Sequence, residues 1–190
     1  YENIGGTWSQ VGSNINGEVS GDGSGYSVSL SSNGDIVAIG SPFNDDNSNL
    51  SGQVRVYENI GGNWTQIGGD IDGEGNGDQS GYSVSLSSDG SIVAIGAIYN
   101  DGDVDHNFYN SGHVRIYENQ SGSWTHIGDD IDGENSGERF GISVSMSSDG
   151  SKVAIGGPGV DVLDPGLVRV YGLSEVLSVN EYSLLELNIY

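Results

Sequence analysis

The chain alternates short stretches of period-two hydrophobicity with short continuous apolar stretches, and glycine separates them. Residues 82 to 87 alternate apolar side chains with serines, which is the pattern of a half-buried β-strand. Residues 92 to 95 are apolar throughout, which indicates a strand covered on both faces. Asp89 and Gly90 lie between the two stretches. The pattern therefore predicts a β-hairpin closed by a two-residue turn.

This hairpin pattern occurs three times in the chain. The strings "SGYSVSLSSNGDIVAIG", "SGYSVSLSSDGSIVAIG" and "FGISVSMSSDGSKVAIG" begin at residues 24, 80 and 140. A third strand candidate follows each apolar stretch, as in "GHVRIYEN" at 112 to 119. A Gly-containing turn then leads to a fourth, as in "SWTHIG" at 123 to 128. Each unit thus holds four strand candidates, and no part of the repeats has a helical pattern.

Four antiparallel strands per unit, with inner strands that need cover on both faces, predict an all-β fold built from four-stranded blades of a β-propeller. A β-solenoid is the alternative, but its coils are shorter and lack strong hairpin turns. We assign residues 1–173 to the repeats and 174–190 to a C-terminal tail or linker. The repeats divide into third and fourth strands at 1–16, units at about 25–80 and 81–140, and a partial unit at 141–173.

This division gives about three blades, whereas closed propellers have about four to eight. We therefore expect the chain to be part of a larger propeller. Incomplete blades also leave edge strands that can pair with another chain.

The charge and composition of the chain limit the kinds of partner that it is expected to bind. The 27 acidic residues outnumber the five basic ones, and the formal net charge is −22. Such a surface repels nucleic acid and anionic membranes, so neither is expected as a partner. The sequence contains no cysteine, which excludes disulfides and thiolate metal sites. No apolar run is long enough to span a bilayer, so membrane insertion is not expected.

The predicted topology places most of the acidic residues on one side. In an up-and-down meander, the loops that join strands two to three and four to one emerge on the same side. Here these loops span about 12–24, 41–52, 69–80, 97–112, 129–140 and 157–166. They contain 18 of the 27 acidic residues: Glu18, Asp22, Asp45, Asp46, Asp70, Asp72, Glu74, Asp78, Asp101, Asp103, Asp105, Asp129, Asp130, Asp132, Glu134, Glu138, Asp161 and Asp164.

Two loop patterns on this side offer oxygen ligands to a hard cation such as Ca²⁺. One is "DIDGE" at 70 to 74, repeated at 130 to 134, and the other is "NDGDVDHN" at 100 to 107. Neither pattern matches an EF-hand loop. The alternative is a solvated acidic rim in which aspartates close Asx turns. The candidate metal ligands are Asp70, Asp72, Glu74, Asp101, Asp103, Asp105, Asp130, Asp132 and Glu134.

Two further sets of residues recur once per unit. We expect structural roles for both: arginines that pair with acidic or carbonyl groups between blades, and tryptophans that pack between blades rather than form a sugar platform. The sets are Arg55, Arg115 and Arg169, and Trp8, Trp64 and Trp124.

The histidines do not recur. Gln53 and Gln66 stand at the positions equivalent to His113 and His126, so we interpret these histidines as tolerated surface substitutions. The sequence shows no Ser-His-Asp arrangement and no G-x-S-x-G elbow. No catalytic residue is assigned.

The repeats resemble the FG-GAP family over residues 1 to about 172. The Phe-Gly pair is present at Phe140-Gly141, and Gly40-Ser41-Pro42 and Gly156-Gly157-Pro158 stand in place of the family's Gly-Ala-Pro element. The resemblance implies a β-propeller of the kind found in bacterial surface proteins and integrin α-chains. Integrin-type repeats carry calcium between the first two strands, and the short hairpin here leaves no room for such a loop.

The tail, "SEVLSVNEYSLLELNIY" at 174 to 190, leaves the repeat pattern. It resembles the lead-in to the C-terminal sorting domain of Bacteroidota type IX secretion cargo, which implies an extracellular or cell-surface location on a bacterium. An edge strand or a short amphipathic segment is the alternative.

The function expected from these observations is a binding, adhesion or scaffold module. Its expected partners are a surface protein or a glycan, with the export machinery as a further partner. Two alternatives stay open: a polysaccharide-active enzyme that uses carboxylates of the acidic side, and a self-assembling structural surface protein.

Overall fold

The computed structural model describes residues 2–102, 109–159 and 165–173 of the chain. This part consists of β-strands and turns, which confirms the all-β prediction. It contains no helix that could cross a membrane. The strands are β1 (Glu2–Ile4), β2 (Thr7–Ser9), β3 (Ser27–Leu30), β4 (Ile36–Ser41), β5 (Gln53–Ile60), β6 (Asn63–Gln66), β7 (Ile71–Asp72), β8 (Ser80–Leu86), β9 (Ile92–Ala97), β10 (His113–Gln120), β11 (Ser123–His126), β12 (Ile131–Asp132), β13 (Ser143–Met146), β14 (Lys152–Gly157) and β15 (Leu167–Gly172).

The strands form the antiparallel blades of a β-propeller, as predicted. The first blade has the order β3-β4-β5-β6 and the second has the order β8-β9-β10-β11. The third blade contributes β13-β14-β15 to the described residues, and β1-β2 forms a hairpin before the first blade. The first strands of consecutive blades lie side by side, because β8 contacts both β3 and β13.

The fourth strand is interrupted in the first and second blades. The sequence predicts a strand over 63–68, but β6 ends at Gln66 and the chain rejoins the sheet only at β7. Gly68, between them, has a positive φ of 74°. The interruption leaves Asp70 outside the sheet, whereas Asp72 pairs with Gln53 at the start of β5.

The hairpin turn between the first two strands is longer than predicted. A two-residue type I′ turn needs a positive φ at both central residues, but Asp89 does not have one and Gly90 has a φ of 73°. The Ser87 N–H donates to the Ile92 carbonyl at 2.9 Å, which closes a four-residue loop over 88–91. The Asp89 carboxylate accepts from both the Ser87 hydroxyl and the Ser91 N–H. The prediction of a two-residue turn was therefore wrong, because the aspartate stabilises a type I turn followed by a left-handed glycine.

The hydrophobic core lies between blades rather than within them. One cluster joins Val54 and Val56 of the first blade to Val84 and Leu86 of the second. A second cluster joins the second blade to the third in the same way, with Phe140 fully buried. Each blade therefore gains most of its apolar burial from its neighbour.

The serines that alternate along the first strands connect neighbouring blades. The Ser27 hydroxyl donates to the Gly81 carbonyl of the next blade at 2.7 Å, and Ser83 repeats the contact with Gly141 at 2.6 Å. The Ser29 hydroxyl accepts from the Leu86 N–H of the next blade at 3.0 Å. Small hydroxyl side chains thus bring two sheets close together and satisfy backbone groups between them.

Two blade faces remain open in the described part of the chain. Val28 and Leu30 on β3 are 63% and 60% exposed, and Val168 and Val170 on β15 are 72% and 65% exposed. The equivalents of these four residues in the second blade are all buried between blades. The open face at β3 and the open face at β15 are therefore the two surfaces that pack against each other wherever two blades meet.

Candidate functional site

The loops that carry the acidic residues form one surface, which we call the acidic loop face. It comprises the described parts of the six loops defined above. The 41–52 and 69–80 loops are joined by backbone hydrogen bonds, including Gly73 N–H to Gly52 O and Ser80 N–H to Ser51 O, both at 2.8 Å. The 109–112 and 129–140 segments repeat this pairing. The loops are therefore fixed to one another by their main chains.

Three buried carboxylates at one repeat position organise these loops. Asp22, Asp78 and Glu138 are 7%, 7% and 2% exposed, and each lies three residues before the glycine that opens a blade. Asp78 accepts from the Gly75 N–H and from the Asn100 amide, both at 3.0 Å. From the sequence these residues were expected only as part of the acidic surface, and this role was not predicted. Their recurrence at a fixed distance from the glycine was the available signal.

The repeated arginines bind carboxylates of the loop that precedes their own blade. Arg55 lies 3.3 Å from Glu18, and Arg169 lies 2.9 Å from Glu134. Arg115 contacts Glu74 in the equivalent pair. This pattern connects each strand-three position to the loop that leads into the blade, so the arginines hold the loop face together.

The repeated tryptophans follow a related pattern. The indole N–H of Trp64 donates to Val11 O at 3.2 Å, and that of Trp124 donates to Ile67 O at 2.9 Å. Each bond crosses from the outer strand of one unit to the end of the preceding one. Trp8 is 66% exposed.

The candidate metal ligands have different surroundings. Asp70 accepts from the Gln66 amide at 2.6 Å, Asp72 accepts from the Gln53 amide at 3.4 Å, and Asp101 accepts from the Asn110 N–H at 2.9 Å. Asp103 and Asp105 lie outside the described residues. That these carboxylates bind calcium stays a prediction.

The three carboxylates of one "DIDGE" loop do not converge on a common point. In the described part of the chain, the ligand atoms of Glu74, His113 and Asp130 all lie within 4.8 Å of one another, and no other group of three such residues does so. Glu74 and Asp130 belong to different loops. Arg115 stands between them and binds Asp130 through two hydrogen bonds of 2.8 and 2.7 Å.

His113 is the part of this cluster that the sequence analysis interpreted wrongly. It is 4% exposed rather than a surface residue, because it begins β10 beneath the paired loops and lies directly across the sheet from Asp132. Its Nδ1 lies 3.8 Å from Asp130 Oδ2 and 3.9 Å from Asp132 Oδ1. Both distances are too long for a hydrogen bond, and this buried nitrogen has no hydrogen-bond partner.

His126 completes the cluster from the outer strand. Its Nε2 lies 3.4 Å from Asp130 Oδ1. His126, Asp130, Asp132 and Glu74 line an open polar depression, which connects the cluster to solvent.

The protonation states in the cluster follow from burial and charge. Burial lowers the pKa of His113, and the neighbouring Asp130 carboxylate opposes the shift without cancelling it. Burial raises the pKa of Asp130, but the hydrogen bonds from Arg115 and the charge interactions with His113, Arg115 and His126 together outweigh it, and the net shift is downward. Burial also disfavours the charged form of Arg115, yet its bonds to Asp130 and Glu74 raise its pKa overall. At neutral pH these three shifts favour a neutral His113 imidazole, the Arg115 guanidinium and an ionised Asp130 carboxylate.

Comparisons with known proteins support the fold and go no further. No protein-family model matches the chain, and no curated protein matches it. A solved structure of a putative 6-phosphogluconolactonase from Bacteroides uniformis is similar with a TM-score of 0.50 and 16% identity, over 76% of this chain and 35% of that one. At this identity the likeness shows a propeller-type fold alone.

Two other solved structures are similar at lower scores. Periplasmic gluconolactonase PpgL from Pseudomonas aeruginosa has a TM-score of 0.47 and 16% identity, over 77% of this chain and 38% of that one. Kuenenia stuttgartiensis hydrazine synthase has a TM-score of 0.49 and 12% identity, over 78% of this chain and 34% of that one. The chain spans little more than a third of the length of these structures.

Proposed function

We propose that the chain forms blades of a secreted or cell-surface bacterial β-propeller that binds a surface protein or a glycan through the acidic loop face. Its role is adhesion or scaffolding, without catalysis of its own. The observation that carries this proposal is the way the loops are held. Backbone hydrogen bonds and the repeated arginine–glutamate pairs fix loops from consecutive blades into one continuous surface.

A preorganised surface of this kind favours binding, because little loop entropy is lost when a partner docks. Its negative charge favours partners with cationic groups and speeds their association at low salt. The resemblance to FG-GAP repeats supports a surface protein. The tail at 174–190 supports export by the type IX machinery on sequence grounds alone, and it lies outside the described residues.

Catalysis by carboxylates is less well supported than binding. A glycosidase needs one carboxylate that is free to donate a proton and a second that is free to attack or to activate water. On this face Asp22, Asp78 and Glu138 are buried and accept hydrogen bonds from the loops. Glu18, Glu74 and Glu134 contact arginines. These side chains are committed to holding the loops in place.

The experiment compares two triple variants that remove the same charge from opposite sides of the blades. Asp46→Asn, Asp70→Asn and Asp129→Asn neutralise exposed residues of the acidic loop face. Each variant protein and the native chain are tested against an array of neutral, anionic and cationic glycans and against purified surface proteins. We expect binding that weakens with added salt and is lost in this variant.

The matched control carries Asp35→Asn, Glu58→Gln and Glu118→Gln, which lie near the hairpin turns on the opposite side. It has the same net charge as the first variant and is expected to bind like the native chain. An equal loss of binding in both triple variants would mean that binding depends on net charge and not on the acidic loop face. Absence of any binding by the native chain would contradict the proposal.

Self-assembly is a second candidate, and the open blade faces favour it. Val168 and Val170 on β15 and Val28 and Leu30 on β3 are exposed apolar residues. Their equivalents in neighbouring blades pack against each other, as Val54 and Val56 pack against Val84 and Leu86. A head-to-tail contact between two copies would bury the β15 face of one copy against the β3 face of the other. Sedimentation from low to high concentration tests it: growth in mass that Val168→Ser prevents would support assembly, and a constant monomer mass would exclude it.

A further inference from the structure

We propose that His113 and Asp130, with Glu74, Asp132 and His126 beside them, form a binding site for a single divalent transition-metal ion of the zinc class. This site goes beyond the proposed binding function, and it differs in ligand chemistry from an all-oxygen calcium site. The site lies on the acidic loop face, at the depression between the second blade and the loop that leads into it.

One nitrogen of the cluster, the Nδ1 of His113, is buried and has no hydrogen-bond partner. His113 is 4% exposed, and its Nδ1 points between two carboxylates without a hydrogen bond to either. A buried polar atom without a partner costs free energy. A metal ion placed between Nδ1 and the two carboxylates would give this nitrogen a ligand bond.

Two of the distances are close to those of a metal site. Zinc binds nitrogen and oxygen at about 2.0–2.2 Å, so two ligands of a tetrahedral site lie about 3.4 Å apart. The His113 Nδ1 lies 3.8 Å from Asp130 Oδ2 and 3.9 Å from Asp132 Oδ1. These two pairs exceed the tetrahedral spacing by a few tenths of an ångström. Glu74 offers a ligand atom within 4.8 Å of those of His113 and Asp130, so its side chain has to move further to join them.

The charge balance leads to the same conclusion. Glu74, Asp130 and Asp132 bring three negative charges to the cluster, and Arg115 brings one positive charge. Asp130 keeps its bonds to Arg115 when a metal binds, because each carboxylate oxygen has more than one lone-pair site. A divalent ion would therefore neutralise the excess charge without removing the arginine.

In the first blade, glutamines occupy the positions of the two histidines. There Gln53 replaces His113 and Gln66 replaces His126, and their amides donate to Asp72 and Asp70 at 3.4 and 2.6 Å. The second blade thus replaces both amide donors with imidazoles around two equivalent aspartates. The Gln53 amide reaches its carboxylate, whereas the His113 Nδ1 lies too far from Asp130 and Asp132 to hydrogen-bond to either. A cation between them would bind the nitrogen and a carboxylate at once.

The ligand types indicate the class of metal. Calcium and magnesium prefer oxygen ligands alone. Imidazole nitrogen together with carboxylate oxygen suits zinc and its neighbours among the divalent transition metals.

The test uses the untagged chain, freed of metal, and calorimetric titration with Zn²⁺ and separately with Ca²⁺. We expect one equivalent of Zn²⁺ to bind, more tightly than Ca²⁺. His113→Gln should weaken zinc binding roughly 100-fold or more, since even second-shell changes cost about 10–100-fold. Glu118→Gln, which removes a carboxylate from the opposite side, should leave it unchanged. Co²⁺ should give visible absorption bands that His113→Gln abolishes.

The His113→Gln variant should fold, because glutamine already occupies the equivalent buried position in the first blade. Its urea midpoint without metal checks this. If it does not fold, Asp132→Asn replaces it, with the same expected loss of zinc affinity. Native zinc affinity in either folded variant, calcium binding as tight as zinc binding, or no zinc binding by the native chain would overturn the proposal.

Discussion

Leu86 and Leu30 occupy the same position in consecutive first strands, and they should respond very differently to truncation. Leu86 is 6% exposed and packs in the cluster between the first and second blades, whereas Leu30 is 60% exposed on an open face. We expect Leu86→Ala to lower the free energy of unfolding and Leu30→Ala to change it little. Both substitutions change leucine to alanine at the same strand position, so their effect on local strand propensity is the same. A difference between them therefore measures the contribution of burial between blades.

The magnitude follows from the cost of an unfilled core site. Truncating a buried leucine to alanine costs about 2–5 kcal/mol, and more where the surroundings cannot collapse. The walls around Leu86 are strands of two hydrogen-bonded sheets, so we expect about 3 kcal/mol. A surface change away from special features is usually within about 0.5 kcal/mol, and we expect less than about 1 kcal/mol for Leu30→Ala.

Urea unfolding followed by tryptophan fluorescence measures both variants. Trp124 reports on the boundary between blades, because its indole N–H bonds to Ile67 O of the preceding unit. With a slope of about 2–3 kcal/mol per molar urea, a loss of 3 kcal/mol moves the midpoint by roughly 1 M or more. Equal losses in the two variants, at any protein concentration, would refute the proposed division between buried and open faces.

Three further changes test other parts of the account. Gly81→Ala should lower the free energy of unfolding, measured in urea, more than Gly25→Ala does. Both glycines have a positive φ. A Cβ at Gly81 would lie 2.6 Å from a carbonyl oxygen, whereas a Cβ at Gly25 would meet open space. Arg169→Ala should cost about 3 kcal/mol, measured in the same way, because it leaves the buried Glu138 carboxylate without its 2.8 Å partner. Hydrogen bonds from serine and backbone groups lower the pKa of Asp149 in the folded chain. The contribution of this carboxylate to folding stability is therefore fully present above its unfolded pKa of about 3.9, and it is lost as the pH falls through the lower folded pKa. Unfolding midpoints between about pH 5 and pH 2 should therefore fall less steeply in Asp149→Asn.

The blades could be predicted from the sequence because two independent signals agree. The threefold repeat fixes the unit, and within each unit the change from alternating to continuous apolar residues separates the edge of the sheet from its buried centre. The predicted strands match β3–β6 and β8–β11 closely. The turn was predicted wrongly because an Asp-Gly pair fits two turn types, and the serines on either side of Asp89, which decide between them, were not weighed.

The candidate site was less predictable, because its residues meet across loops. Glu74 and Arg115 belong to different repeat positions, and only the stacking of blades brings them together. His113 was interpreted as a surface residue because its equivalent is a glutamine, yet Gln53 is itself 1% exposed. A polar residue at a repeated strand position indicates a satisfied buried group as readily as a surface one, and periodicity cannot separate the two.

The most direct test of the binding proposal is hydrogen exchange on the native chain with and without the partner identified in the binding assays. We expect slower exchange in the 41–52, 69–80 and 129–140 loops and no change in the hairpin turns over 31–36 and 87–92. Protection confined to those turns, or to the open faces at Val28 and Val168, would contradict the claim that the acidic loop face is the binding surface.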